Sequence, residues 1–565
     1  MMKIIKKYIV LSLSVLALSG CDEGDFLTQV NPNAITTDTF WETEGQFNSA
    51  LTTVYGALQF ESVSGALVQH EMVLGDLGGT ESWYRPAAFR NLTYNDNTYY
   101  VVDRWNELYI GIFRANQVIE NIQSADINVV TKAQIEAQAK CLRAFYYFQL
   151  VHSYGQAVIH TEVAKSAEDF SKPLSSLEEV TNQVIKPDLE FAAQNLPLSW
   201  SEGKGRVTKG TAQSLLGKVY LYNEEWSNAA AQFKAVIDSN IYSLVADVSD
   251  NFTHTNEYNS ESILEVTFNS ELNPGVNGSI VDDNPNETGA EASALARGLG
   301  QLNYGGYNTV LTSYYLHEMF VYDEVDPTNP INDGNIHSRR MTASIAPSNF
   351  EDEYYGRDSD EAKGWGFGQS AYLKKHTNWY HLEAEDGNSR SGINFRHIRY
   401  ADVLLMYAEA VLNDSGDFAT AITYIDMIRA RAGVKTLQQY MDENSGQFPQ
   451  LHVSIQVHGS QPLVSASAAT VLKHIQRVER PLELCFEGHR WKDLVRWGIV
   501  AEVYSELRAD EVWREANKAT IFDTPPLYIA ERIRPDFFLS EQNYDPAQHN
   551  YFPIPTGEVQ TNEEL

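Results

Sequence analysis

Positive charge is scarce in this chain. Lys and Arg total 42 against 75 Asp and Glu, a net charge of −33 over 565 residues. Binding a phosphate backbone needs a cationic footprint, so nucleic acid is excluded as a partner. The same balance weighs against a strongly anionic polymer unless a local basic patch overrides it. Cysteine is nearly absent, with three residues in all. Cys141 and Cys485 lie in apolar, helix-like runs and read as buried free thiols with no ligand spacing around them. After the first twenty residues there is no run of about 18 apolar residues, the length a spanning helix needs. Nucleophile, cofactor and metal motifs are missing too. Asp282-Asp283-Asn284 and Asp358-Ser359-Asp360-Glu361 lack the spacing of an EF-hand loop and read as solvated acidic loops. No catalytic residue, cofactor or metal is therefore expected.

What is abundant is the aromatic ring. Phe, Trp and Tyr make up 12% of the chain, with 31 Tyr and 10 Trp. Those rings belong either to a core or to a binding surface. Hydrophobic content of 43% and charged content of 21% are ordinary for a globular protein.

The clearest periodicity runs from Arg396 to Gly433. Tyr400, Val403, Leu404, Tyr407, Ala408 and Val411 form an apolar stripe of helical period. Asn413-Asp414-Ser415-Gly416 interrupts it, and Phe418, Ala421, Ile422, Ile425 and Ile428 resume it before Gly433. Thr211 to Ser239 repeats the scheme. Its second helix opens Glu225-Trp226-Ser227-Asn228-Ala229, where the later pair has Asp417-Phe418-Ala419-Thr420-Ala421. Acid, aromatic, two variable positions and Ala is the opening of a second helix in a tetratricopeptide-like unit of about 34 residues. The spacing predicts a mainly α protein with such pairs around residues 205–240 and 396–433 and further helical stretches around 136–200 and 468–505. Irregular, Gly- and aromatic-rich stretches interrupt it around 75–100, 270–395 and 434–463 and form a loop-rich lobe.

Other local signals are specific. Residues 40–58 predict an amphipathic helix capped by Thr39 or Asp38, and Trp105 to Ile122 and Gln138 to Tyr154 predict two more. Ser175 with Glu178 reads as a capping box, and Pro187 should kink or restart the helix it opens. Glu483 and Glu487 stand four apart near Arg480, Arg490, Asp493 and Arg496. These arginines neutralise the acids, so the group reads as an ion-paired helix end rather than a catalytic carboxylate pair. Tyr551 to Pro555 reads as an extended segment docked on the helices.

Residues 1–20 have the form of a processed leader, with Lys3, Lys6 and Lys7 before the short apolar run Ile9 to Leu18. Leu18-Ser19-Gly20-Cys21 resembles a bacterial lipobox, which makes Cys21 the lipidation site. Residues 21–34 would be a lipidated tether and 35–565 a single domain.

IRYADVLLMYAEAVLN from Ile398, IRARAG from Ile428, VERPLELCFEGHRWKDLVRWG from Val478 and YFPIPTGEVQTN from Tyr551 resemble the SusD/RagB family. Asp25-Phe26-Leu27 and the helix AKCLRAFYYFQLVHSYG fit as well. One departure is Pro481, where members more often carry a basic or polar residue, and it bears on that helix's continuity. The resemblance implies four tetratricopeptide-like pairs under an irregular ligand-binding lobe. It implies a surface-exposed outer-membrane lipoprotein without enzymatic activity, paired with a SusC-like TonB-dependent transporter. The ligand it implies is an oligo- or polysaccharide, less often a peptide. A protein-interaction scaffold and, least of all, a glycosidase are the alternatives.

Aromatic platforms cover the flat C–H faces of sugar rings, and neighbouring glycines let a loop hold such a ring outward. Trp83-Tyr84-Arg85, Tyr304-Gly305-Gly306-Tyr307 and Gly364-Trp365-Gly366-Phe367-Gly368 are the clusters in polar, irregular context. The expected ligand-binding residues are Trp83, Arg85, Asn95, Tyr99, Tyr304, Tyr307 and Trp365.

Overall fold

The computed structural model describes residues 40–272, 291–347, 353–357, 371–521 and 533–565. Cys21, Trp365 and both acidic loops named above lie outside the described residues. In chain order the elements that matter are α1 (Glu44–Gly56), β1 (Gly78–Gly79), α2 (Tyr99–Asn121), α3 (Val129–Tyr154), α4 (Lys186–Asn195), α5 (Lys209–Tyr222) and α6 (Trp226–Asp238). They continue with β2 (Ser262–Val266), β3 (Leu311–Thr312), α7 (Tyr314–Tyr322), β4 (Phe395–Arg399), α8 (Tyr400–Asp414), α9 (Phe418–Arg431), α10 (Arg480–Leu484) and α11 (Val500–Ile521). The fold is mainly α and tetratricopeptide-like. Helices α2, α3, α4, α5, α6, α8 and α9 each pack on the next, and one apolar core runs through the series from Phe47 to Phe552.

Local chemistry explains these boundaries. Asn128 caps α3 by accepting from the N–H groups of Val130 and Thr131, and Gly155 ends it at φ 74°. Ala229 and Ala421 are fully buried, so two helices can close together, while Trp226 and Phe418 pack on the core edge. Gly217 serves the same end from the other side, since a Cβ there would press on the Phe233 ring at 2.6 Å. Cys141 and Cys485 are buried free thiols. Phe552 is buried edge-on against Phe89, Tyr94, Tyr100 and Tyr154, and its N–H donates to Ser153 O at 2.7 Å, so the extended C-terminal segment is docked.

Several expectations need correction. The cap of α1 is Thr43, in a capping box with Gln46, rather than Thr39 or Asp38. Helix α2 begins at Tyr99, six residues before Trp105, inside the stretch expected to be irregular. The second capping box is Ser176 with Glu179, one residue later than expected; Ser175-Ser176 and Glu178-Glu179 allow both registers, and only the later one puts the pair at the helix start. Residues 396–399 belong to β4, paired antiparallel with β2, and not to a helix. Pro187 and Pro481 are accommodated in the same way. Each follows a five-residue π turn, Thr181–Ile185 and Ile475–Glu479, whose wider winding makes room for the ring and its missing N–H. The helix carrying Pro481 thus runs on to Leu484.

The acid pair Glu483 and Glu487 is ion-paired, but its partners are not the expected ones. Phe486 has φ 62°, so Glu487 stands off the helix. Arg399 reaches both acids, donating Nη1 to Glu483 at 2.6 Å and Nε to Glu487 at 2.7 Å, and it also reaches Glu261 at 2.7 Å. Arg431 bridges Glu261 and Glu483, and Lys375 completes Glu487 at 2.8 Å. The expected arginines pair elsewhere: Arg480 with Asp402 and Asp493, Arg490 with Asp76, Arg496 with Glu409 and Asp493. Arg340 and Arg429 share Asp323 and Glu479 in a second buried network.

These networks set the pH dependence. Burial opposes ionisation of Glu261, but Arg431 and Arg399 outweigh it and hold the carboxyl at about 2. Glu71, beside Arg104 and Lys492, and Asp493, beside Arg480 and Arg496, are likewise held at about 2 against their burial. A lowered folded pKa gives stability that is present above the unfolded value and lost as pH falls through the folded one. Glu61, Glu107 and Glu511 behave oppositely, since burial lifts them from 4.5 to about 8, 7 and 7. Their contribution is full below 4.5 and is lost as pH rises through 7 to 8. Melting temperature measured from pH 3 to 9 should therefore peak on the acid side of neutrality. Glu107→Gln should flatten the fall between about pH 4.5 and 7; an unchanged slope over that window would refute this assignment.

Candidate functional site

Two short strands bring distant loops together. In β1 and β3, Gly78 pairs with Thr312 and Gly79 with Leu311, antiparallel. The chain leaving Gly79 and the chain entering Leu311 therefore lie at the same end of the ladder. The first carries Trp83 and Arg85, the second Tyr304 and Tyr307. Gly79 sits hard against Pro535 with no room for a Cβ, which fixes where the first loop departs.

The first loop turns on a bond from the Tyr84 N–H to Glu81 O at 3.1 Å. It leaves the Trp83 indole 65% exposed, with the Tyr84 ring 6.0 Å away. The Arg85 guanidinium lies 5.3 Å above the ring of Tyr99, the first residue of α2. Tyr99 is held by His70. Nδ1 of His70 contacts Leu67 O at 2.7 Å, which places its proton there and leaves Nε2 to accept from the Tyr99 hydroxyl. Burial lowers the His70 pKa to about 4, so the ring stays neutral and the arrangement persists at neutral pH. Asn95 is exposed, but its Oδ1 accepts from the Asn97 N–H at 3.0 Å and from the Thr98 hydroxyl, so its carbonyl is spent on the turn before α2.

The second loop is built on arginines. Gly305, at φ 79°, turns the chain between the two tyrosines, and Gly306 passes so close to Gly300 that a side chain would overlap the Gly300 carbonyl. The Tyr307 N–H donates to Arg297 O and the Asn308 N–H to Gly300 O, both at 2.8 Å. The Arg297 guanidinium lies 4.7 Å over the Tyr307 ring while it donates to Gly305 O, Gly387 O and the Ser389 hydroxyl. Arg357 does the same under Tyr304, 4.3 Å from the ring, donating to Tyr355 O and Glu383 O at 2.8 Å. The Tyr355 ring leans on Tyr304, tilted by 31° with centroids 5.5 Å apart, so Tyr304 is largely covered, whereas Tyr307 is 46% exposed. Each ring is thus locked by a cation that also staples the surrounding backbone.

The short helix Gln69–Met72 joins the two loops. Gln69 accepts from the Thr309 hydroxyl on one side, and His70 holds Tyr99 on the other. Arg85 and Tyr99 are thereby tied to this helix on one side and the loop carrying Tyr307 on the other, while Trp83 lies on the loop leaving β1. Sequence reasoning missed Arg297, Arg357 and His70. Nothing in their local pattern distinguishes an arginine that orients a ring from one in a solvated loop. Among the described residues no group of three or more His, Cys, Asp or Glu is placed to hold a metal, and no helix is long and apolar enough to cross a membrane.

Comparison with known proteins places this architecture. Residues 260–565 match the family model described as SusD family, and residues 25–221 match one described as starch-binding associating with outer membrane. A SusD-like protein of Formosa agariphila is 26% identical over 521 residues, covering 89% of this chain and 93% of that protein. A SusD superfamily crystal structure from Bacteroides vulgatus superposes with a TM-score of 0.72 at 25% identity, over 93% of this chain and 98% of that one. A structure described as a laminarin-binding SusD-like protein superposes with a TM-score of 0.64 at 24% identity, over 92% and 98%.

Proposed function

Since the chain belongs to the SusD family, we propose that it is a glycan-binding lipoprotein of the outer-membrane surface, anchored through Cys21. It captures an oligo- or polysaccharide and delivers it to a SusC-like TonB-dependent transporter without cleaving it. The observations that carry the reading are the exposed Trp83 ring and the arginine-backed, half-exposed Tyr307 ring, on loops that leave one end of the β1–β3 ladder. Fixed flat rings bind a ligand that offers flat apolar faces, and they lose little freedom in doing so. Tyr99 and Arg85 would flank that surface and supply polar contacts. Trp365 is proposed to extend it. The proposed domain plan keeps residues 21–34 as a tether that lets residues 35–565 reach away from the membrane. The likeness to a laminarin-binding protein supports a glucan as the first ligand to try.

Affinity electrophoresis through gels carrying laminarin and other neutral polysaccharides tests this. One glycan should retard the protein, and Trp83→Ala combined with Tyr307→Ala should weaken retardation at least tenfold, about 1.4 kcal/mol. Undiminished retardation of the double variant would remove the site, and release of new reducing ends by pure protein would remove the non-enzymatic reading.

A further inference from the structure

The extended C-terminal segment borders a second cleft, of about 510 Å³, which none of Trp83, Arg85, Tyr99, Tyr304 or Tyr307 lines. Tyr94, Tyr154 and Phe552 wall it, and all three are buried. Tyr551 lines it too but is 37% exposed. Its ring is held against Gly155, where a Cβ would stand 2.8 Å from it. The glycine that ends α3 therefore also seats this ring. The volume lies within the range of small-ligand pockets.

The lining carries no Asp, Glu, Lys or Arg. Burial alone raises the pKa of the Tyr551 hydroxyl, with no charged neighbour contributing. Arg104, Glu71 and Asp103 act on Tyr154, but on a hydroxyl committed to Val101 O in the core. Asp545, next to the lining in sequence, has both oxygens taken, one by the Ala547 N–H at 2.9 Å and one by the Gln548 amide at 3.1 Å. A charged ligand group would give up its water here with nothing to pair it, which is costly.

The lining offers groups that suit hydroxyls instead. The Tyr551 hydroxyl and the Gln156 amide have no hydrogen-bond partner among the described residues, and Gln548 keeps its Oε1 open. Nδ1 of His549 lies 3.0 Å from the Asp545 N–H, which can only donate, so the ring proton sits on Nε2, free of any partner. A wholly apolar ligand would leave these groups unpaired. An extended peptide finds no ladder either, because the Phe552 N–H is spent on Ser153 O and Pro553 and Pro555 have none. We propose that this cleft binds an uncharged pyranose, a neutral sugar ring, with its flat face on Tyr551 and its hydroxyls on Gln156, Gln548 and His549. The proposal concerns a separate site and does not rest on the function assigned to Trp83 and Tyr307.

Isothermal titration of the intact protein carrying Trp83→Ala and Tyr307→Ala, which removes the rings of the first surface, tests it. The probes are the neutral trimers of β-1,3-glucose, β-1,4-mannose and β-1,4-xylose, the acidic trimer of α-1,4-galacturonate, and trialanine with both ends blocked. At least one neutral trimer should bind, and the acidic trimer at least tenfold more weakly. Gln156→Ala, at an exposed position, and Tyr551→Ala should each weaken the neutral trimer at least fivefold, the first with the melting temperature unchanged. Absence of binding by every neutral trimer, equal binding of the acidic trimer, or insensitivity to Gln156→Ala overturns the proposal. Trialanine binding as tightly as the neutral trimer overturns it in favour of a peptide. The first surface is read separately, as the difference between the parent and this background, so the two readings fail independently.

Discussion

Arg399→Met should be among the most destabilising single substitutions available in this protein. The guanidinium is 1% exposed and serves Glu261, Glu483 and Glu487 together. Methionine fills much of the volume but leaves three buried acids to share Arg431 and Lys375. Breaking a buried ion pair from one side costs about 3–5 kcal/mol, because the surviving charge stays desolvated. With an unfolding entropy of about 2.1 cal/mol/K per residue, that lowers the melting temperature of a chain this long by roughly 4 °C if it unfolds as one unit. Arg399→Lys keeps the charge but not the planar fork, and should fall in between. Adding Glu483→Gln to Arg399→Met should recover part of the loss, since it leaves Glu261 with Arg431 and Glu487 with Lys375 and strands no charge. Calorimetry decides: a single variant that melts with the parent, or a double variant worse than the single, would show that the hub is not organised as described.

Gly306→Ala should abolish ligand capture while sparing the helical frame. The added methyl would overlap the carbonyl of Gly300, a backbone group that cannot swing aside like a side-chain tip. The loop is turned back by bonds from the Gly306 N–H to Gln301 O at 3.0 Å and from the Asn308 N–H to Gly300 O at 2.8 Å, so relief must come from unseating it. Tyr307 would then leave its place over Arg297. Retention on the gel that binds the parent should fall at least tenfold, with a smaller melting shift than Arg399→Met produces. Full retention would mean that the loop's exact path is irrelevant to binding, and that the rings act only as sticky surface.

The helical frame was legible because its determinants are local. The acid-aromatic-Ala openings at Glu225 and Asp417 are caps and spacers that act within one or two turns, and both mark true helix starts. Where the determinant is distant, local reading fails. Glu483 and Glu487 look like one helix face until Phe486 breaks the geometry, and their main cation stands more than eighty residues earlier, with sequence separations of 84 and 88. Strand β4 was hidden because Arg396 and Arg399 occupy buried positions whose charges are met by Glu265 and Glu261, which disguises the apolar pattern of a strand. For the candidate site, glycine beside aromatic marked the exposed Tyr307 but also the largely covered Tyr304, while Trp83 is exposed with no glycine next to it. Their meeting depends on a ladder of two residues per strand, Gly-Gly against Leu-Thr, too short to leave any periodicity.

The Asp76–Arg490 pair has a consequence for how the molecule assembles. Its partners are 414 residues apart, and both oxygens of the acid are committed to one guanidinium at 2.6 Å. Asp402 and Glu71 have earlier partners in Lys218 and Arg104 but are completed only by Arg480 and Lys492. A chain that has emerged only as far as α9 cannot bury Asp76 against its counter-ion, and closing such long loops is slow. Commitment to the native state must come late, after the final fifth of the polypeptide is available. Until then the chain remains pliable.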